Sequence, residues 1–121
     1  MRAETYEQTI EAPASDVWGF IIDPAALSAW FGADAWLEPV EGSAVLFRFF
    51  DGLVRRGVIE RVEPFRRVVW RWREHRGAGF GSSIGEPSTV TIELEPIPTG
   101  TRVRIIERPI EAPAVMSRGG G

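Results

Sequence analysis

The chain of 121 residues contains no cysteine and one histidine, His75. Without thiols, neither a disulfide framework nor a cysteine nucleophile is available. A zinc centre needs three or four nitrogen or sulfur ligands, and a nucleophilic triad needs a base, usually histidine. With one histidine and no cysteine, we expect no metal and no other cofactor. No catalytic constellation stands out, which favours a noncatalytic protein.

The sequence also lacks an excess of basic charge and a long hydrophobic run. Its 14 basic and 17 acidic residues give a net charge of -3, without the positive footprint of a nucleic-acid-binding protein. No apolar stretch approaches the ~20 residues of a membrane span. The N-terminus, MRAETYEQT, lacks the apolar core of a secretory signal. We therefore predict a cytoplasmic protein that binds neither nucleic acid nor membrane.

The first quarter of the chain predicts one strand and two short helices. Alternating polar and apolar residues over positions 3–12 indicate a half-buried strand. Pro13 can begin a helix, and Asp23 ends it because a residue before proline disfavours the α region. Pro24 can open a second helix, which Gly32 ends.

From residue 43 onward, the hydrophobic period changes from helical spacing to two. Hairpin signals separate successive strands, so the sheet is expected to be antiparallel. The predicted order is β-α-α-β-β-β-β-β, with a further strand at residues 35–37, and residues 77–85 form a glycine-rich loop. This order predicts an α+β protein whose curved sheet has one apolar, aromatic face and one charged face.

An ordered series of motifs resembles a known superfamily along residues 3–108. The series consists of IEAPASDVWGFIIDPAALSAWFG at residues 10–32, GVI at 57–59, VEP at 62–64, RVVWRW at 67–72, STVT at 88–91, LE at 94–95 and GTRV at 100–103. It is similar to the START-like superfamily, also called SRPBCC, with the helix-grip fold of birch-pollen-allergen type. More narrowly, it resembles the branch named after the activator of heat-shock-protein-90 ATPase.

The resemblance implies a long C-terminal helix that lies in the grip of the sheet, and this chain departs from that pattern. Its last residues, EAPAVMSRGGG, combine proline with three terminal glycines and are unsuited to a helix of several turns. We predict a START-like domain at residues 1–109 and a short non-helical tail at 110–121. The open inner face would then be covered by a second copy in a homodimer, by the tail or by another protein; truncation of the chain is the alternative.

Large aromatic side chains dominate the expected inner face, and a small set of polar groups accompanies them. Such a lining favours noncatalytic binding of a small hydrophobic ligand in an aromatic cavity or groove. Arg56 is included because it lies between Val54 and Val58, which we expect to face inward. Arg48 and Glu107 are additional polar candidates. The candidate cavity residues are Tyr6, Trp18, Trp30, Phe31, Trp36, Phe47, Phe49, Arg56, Trp70, Trp72 and Glu74.

Three other interpretations stay open. Each aromatic residue can simply fill the core, because such side chains bury ~150–250 Å² each. The family resemblance implies a co-chaperone-like module that docks on a larger protein. It also implies, less strongly, an enzyme of polyketide-cyclase type, in which a few polar cavity groups perform acid–base chemistry.

Overall fold

The chain folds as an α+β protein in which two short helices follow the first strand, as the sequence patterns predict. A computed structural model describes residues 4–76 and 83–110. The elements are β1 (Glu4–Ile10), α1 (Ala14–Ile21), α2 (Pro24–Phe31), β2 (Asp34–Leu37), β3 (Ala44–Arg48), β4 (Leu53–Glu63), β5 (Arg67–Arg76), β6 (Ser83–Ile97) and β7 (Gly100–Pro109).

The seven strands form one curled antiparallel sheet in the order β1-β7-β6-β5-β4-β3-β2. Only β1 is out of sequence order, because it pairs with the last strand, β7. The two helices lie between β1 and β2 in the chain, and those strands are the two edges of the sheet. This topology confirms the predicted helix-grip class.

Local signals set the boundaries of the two helices. The Asp23 carboxylate accepts a hydrogen bond from the Ala26 amide at 3.2 Å and so caps α2. Pro24 occupies the first turn, where its missing N–H is not needed. Gly32 ends the helix in the left-handed region at φ 69°, which glycine adopts without steric penalty.

The concave face of the sheet holds the core. Buried side chains alternate along β5, β6 and β7, as the period of two predicts. In β4 the alternation is interrupted by a bulge between Ile59 and Arg61. The buried core residues are Val17, Trp18, Ile21, Leu27, Ala35, Leu37, Val45, Phe47, Ile59, Val68, Trp70, Trp72, Val90, Ile92, Leu94 and Val103.

Two glycines allow close backbone approach on this face. A Cβ at Gly57 would lie 1.7 Å from the Arg71 carbonyl oxygen, so no other residue fits between β4 and β5 there. Gly100, at φ 148°, approaches the Ile10 carbonyl oxygen in the same way. Next to it, the fully buried Thr101 hydroxyl donates a 2.7 Å hydrogen bond to the Ala12 carbonyl. These contacts join the start of β7 to the end of β1.

The convex face carries ion pairs between strands. Arg104 on β7 donates to the Glu7 carboxylate on β1 at 2.9 Å and lies 3.6 Å from Glu93 on β6. The hydrogen bond that Arg104 donates to Glu7, followed by the negative charge of Glu7, raises the pKa of Arg104. Exposed pairs of this kind contribute ~0–1 kcal/mol each.

Parts of the sequence prediction lie outside the described residues. The predicted loop at 77–85 extends too far, because β6 begins at Ser83. Residues 77–82 are not described. The tail prediction falls almost wholly on residues 111–121, which are not described either. The domain division at 109 therefore stays a prediction. Neither helix in the described part of the chain is long and apolar enough to cross a membrane.

Candidate functional site

The aromatic side chains at the centre of the concave face pack against one another and leave no open chamber between them. The Phe47 ring centroid lies 5.0 Å from that of Phe31, 5.8 Å from Trp70 and 5.1 Å from Trp72. Phe47 and Trp70 are fully buried. Both were expected as cavity residues, but they fill the core, because rings of this size occupy the space under a strongly curled sheet. Among the openings beside this cluster, two are candidate sites.

The first opening, which we call the apolar groove, lies between β1 and the two helices and has a volume of about 630 Å³. Tyr6 and Phe20 leave 53% and 51% of their surfaces exposed there, and Trp30 is half-buried. Apolar side chains that are exposed next to one another in a concave opening mark a candidate binding surface. The lining residues are Tyr6, Gln8, Ile10, Ala12, Asp16, Val17, Phe20, Ala26, Ala29 and Trp30.

The second opening, which we call the polar cavity, has a volume of about 340 Å³. Its centre is Glu107 on β7, whose Oε2 accepts three hydrogen bonds: from Arg55 Nη1 at 2.9 Å, Trp72 Nε1 at 3.1 Å and Ser88 Oγ at 2.6 Å. Four strands thus converge on one carboxylate oxygen. The lining residues are Glu4, Arg55, Trp72, Glu74, Glu86, Pro87, Ser88, Glu107 and Pro109.

Arg55 links the polar cavity to the aromatic core. Its guanidinium lies over the Trp72 ring at 5.0 Å and 3.9 Å from the Glu74 carboxylate. A cation above an indole ring is attracted by the ring quadrupole. The Nε atom of Arg55 is buried without a hydrogen-bond partner, so this side chain is held mainly by Glu107 and the ring. Removing either Arg55 or Glu107 would leave the other charge partly buried without its partner, which destabilises the fold.

Several predicted site residues lie elsewhere. Trp18 is buried in the core and contacts Phe65 at a ring distance of 6.3 Å. Trp36 is 47% exposed on the convex face, where the Arg48 guanidinium lies 5.2 Å from its ring. Phe49 lines a separate recess of about 650 Å³ between α2 and the β3–β4 hairpin. Of the predicted set, Tyr6 and Trp30 meet in the apolar groove, and Trp72 and Glu74 meet in the polar cavity.

Arg56 points away from both openings, contrary to the sequence expectation. It pairs in register with Leu46 and Arg73 on the convex face, whereas the adjacent Arg55 faces inward. The alternation was assigned to the wrong face in β4, because the bulge after Ile59 brings Ile59 and Val62 to the same side. Because Val54 and Val58 are apolar, they were expected to face inward. In the structure, their neighbours Arg55 and Gly57 face inward instead.

Sequence patterns did not predict Arg55, Ser88 and Phe20 as site residues. Phe20 does not lie on the apolar stripe of α1, so the helical period does not predict its burial. It is exposed and lines the groove. Ser88 could have been found from the period of two, since it precedes Val90 and Ile92 on the same face of β6. Arg55 could have been assigned to the inner face only if the position of the β4 bulge had been known.

The two openings differ in chemistry. The apolar groove can remove a hydrophobic surface from water, which stabilises a complex by roughly 25 cal/mol per Å² buried. In the polar cavity, the Ser88 hydroxyl is already bound to Glu107. The lone histidine, His75, follows Glu74 on β5 and therefore lies on the opposite face of the strand.

Comparisons with known proteins agree with this fold. Protein MLL2253 from Mesorhizobium loti superposes with a TM-score of 0.75 at 24% identity, covering 98% of this chain and 85% of its own. The solution structure of the Aha1 dimer from Colwellia psychrerythraea gives 0.67 at 22%, with 98% and 84% covered. DynU16, from the dynemicin biosynthetic locus, gives 0.71 at 21%, but this chain spans only 42% of it.

Identities below 25% establish the shared fold alone. No curated protein matches the chain. A family model described as "Activator of Hsp90 ATPase homolog 1-like protein" matches residues 11–119, which is most of the sequence. The chain therefore belongs to the family of Activator of Hsp90 ATPase homolog 1-like proteins.

Proposed function

We propose that the protein binds a small hydrophobic ligand in the apolar groove, without catalysing its conversion. The observation that carries the proposal is the exposure of Tyr6 and Phe20 on opposite walls of a concave, mostly apolar opening. The volume of about 630 Å³ falls within the ~300–1,000 Å³ of typical small-molecule sites. Gln8 and Asp16 supply the few polar groups that such sites use to orient a ligand.

The groove is built on elements that hold its shape. Trp30 contacts Phe20 at a ring distance of 6.5 Å and Phe31 at 6.2 Å, and Phe31 in turn contacts the buried Phe47. Ring contacts therefore extend from the groove into the core. A ligand that binds to such a wall orders few new side chains, which limits the entropic cost of association.

Binding can be tested with the neutral dye N-phenyl-1-naphthylamine, whose fluorescence rises in apolar surroundings. We expect saturable binding to the full chain. Phe20→Ala removes an aromatic wall of the groove and should weaken dye binding about tenfold or more, since burying such a side chain contributes ~1.5–3 kcal/mol. Trp36→Ala is the matched control: its ring is similarly exposed but lies on the convex face.

The control variant should keep its affinity within about twofold, on the grounds that it is distant from the groove. An absence of saturable binding, or an equal loss in the two variants, would overturn the proposal. Circular dichroism of both variants establishes that each is folded before the titration.

Protein–protein interaction is the second candidate function. Its support is the family description, which names an activator of Hsp90 ATPase, and a fold neighbour that was solved as a dimer. In this alternative, a second copy or a larger protein covers Tyr6 and Phe20. Native mass spectrometry of the purified chain would detect a dimer, and the ATPase rate of purified Hsp90 would rise on addition of the chain. Small-molecule binding predicts a monomer and an unchanged rate.

A further inference from the structure

The lining of the apolar groove carries negative charge only. Among its lining residues, all of which are described, Asp16 is the only charged one. It is exposed in the first turn of α1, where the helix N-terminus favours a carboxylate. No lysine or arginine lines the groove. A ligand with an anionic head group would therefore find no partner there.

The lining of the polar cavity is also mainly negative. Its lining includes four carboxylates, those of Glu4, Glu74, Glu86 and Glu107, and a single guanidinium, that of Arg55. Arg55 is within 2.9 Å of Glu107 and 3.9 Å of Glu74, so its charge is compensated inside the cavity. Glu4 and Glu86 add further negative charge to the lining of this opening.

The two openings adjoin along β1 and β7. Glu4 lines the polar cavity and Tyr6 lines the apolar groove, and they stand two residues apart on the same face of β1. Two residues of strand span roughly 6.7 Å. Their partners on β7 are Glu107 and Ile105, which repeat the change from acidic to apolar. We call these two neighbouring openings the trough; its apolar end is near the helices and its acidic end is near Glu4.

We propose that the ligand of this trough is a cationic amphiphile: an apolar body lies in the groove and a protonated amine points towards Glu4. This inference rests on the proposed function and adds the charge of the ligand's head group. The exposed Tyr6 ring lines the groove two residues from Glu4, and an aromatic ring can attract a cation. A fatty acid of the same length would instead bring its carboxylate towards carboxylates.

The test is displacement of N-phenyl-1-naphthylamine by three probes with equal chains: 1-octylamine, 1-octanol and octanoate. At pH 7.4 and low salt, we expect octylamine to bind about tenfold more tightly than octanoate, with octanol between them. The advantage over octanol should shrink in 0.5 M NaCl, because added salt screens charges within roughly 4 Å.

One variant locates the effect. Glu4→Gln should reduce the preference for octylamine over octanol by about threefold while leaving octanol affinity unchanged. Glu38→Gln, which removes an exposed carboxylate after β2, is the matched control and should change neither.

The outcomes separate the two proposals. If octylamine and octanol bind equally, or if Glu4→Gln leaves the preference intact, the head-group inference is wrong and the groove still binds apolar ligands. If octanoate binds most tightly, the inference is likewise overturned. If none of the probes and no dye binds, the proposed function itself fails.

Discussion

The Trp72 indole N–H donates to the Glu107 carboxylate at 3.1 Å, while the ring of Trp72 packs edge-on against Phe47 at 5.1 Å. One side chain thus belongs to two environments. Its carbon frame closes the aromatic core, and its only donor faces the polar cavity. This relationship separates a filled aromatic centre from the polar cavity beside it.

Glu107 is expected to matter for stability because three donors meet at its Oε2. Glu107→Ala should lower the free energy of unfolding by about 1–3 kcal/mol, since it removes the acceptor that Arg55, Trp72 and Ser88 share and takes from Arg55 its 2.9 Å partner. Glu7→Ala, which removes an exposed partner of Arg104, should cost about 0–1 kcal/mol. Urea unfolding measures both; equal losses would contradict the role of Glu107.

The aromatic cluster should tolerate truncation poorly at its centre. Phe47→Ala removes a fully buried ring that contacts three other aromatic residues and should destabilise the fold by about 3–5 kcal/mol. Trp36→Ala deletes a larger but half-exposed side chain and should cost about 1 kcal/mol or less. Thermal unfolding followed by circular dichroism distinguishes them. A mild effect at Phe47 would show that the cluster does not support the core.

Two glycines in regular elements should respond to alanine in opposite directions. Gly57→Ala places a Cβ 1.7 Å from the Arg71 carbonyl oxygen and should prevent the native pairing of β4 with β5, leaving little folded protein. Gly19→Ala meets nothing within 4 Å on α1 and should stabilise by about 0.5–1 kcal/mol. The melting temperature of Gly19→Ala, set against soluble yield and circular dichroism for Gly57→Ala, checks both. A native fold for Gly57→Ala would refute the close approach.

The Thr101 hydroxyl provides a further test, because it is buried and bonds the Ala12 carbonyl at 2.7 Å. Thr101→Val keeps the shape but removes the donor, and should lower stability by about 1–2 kcal/mol. Thr99→Val, in the exposed turn before β7, should have an effect within about 0.5 kcal/mol. Chemical denaturation compares the two. No difference between them would mean that the hydrogen bond contributes nothing net.

The order and type of the elements followed from local chemistry. Asp23 and Pro24 separate the helices because of backbone restrictions that act between neighbours. The inward assignment of Trp70, Trp72, Val90 and Ile92 was also correct, because β5 and β6 alternate without interruption where those residues lie. Neither prediction required knowledge of which strands pair with one another.

Prediction of the site was less complete, for a physical reason that Arg55 and Arg56 illustrate. One bulge reverses which face a residue occupies, and β4 contains such a bulge between Ile59 and Arg61. Arg55 therefore lies over Trp72, while Arg56 lies on the convex face. Phe20 was missed for a different reason: a groove forms between elements, so the residues that line it share no sequence pattern.

The sequence by itself determined the strand–helix–helix–sheet order, the aromatic inner face and the family, because each depends on short-range periodicity and on ordered motifs. Only the tertiary structure decided that the rings fill the centre, that Glu107 gathers donors from three strands, and that Tyr6 and Glu4 join an apolar to an acidic opening. These features depend on sheet curvature and on strand register, which arise when residues far apart in the chain come together.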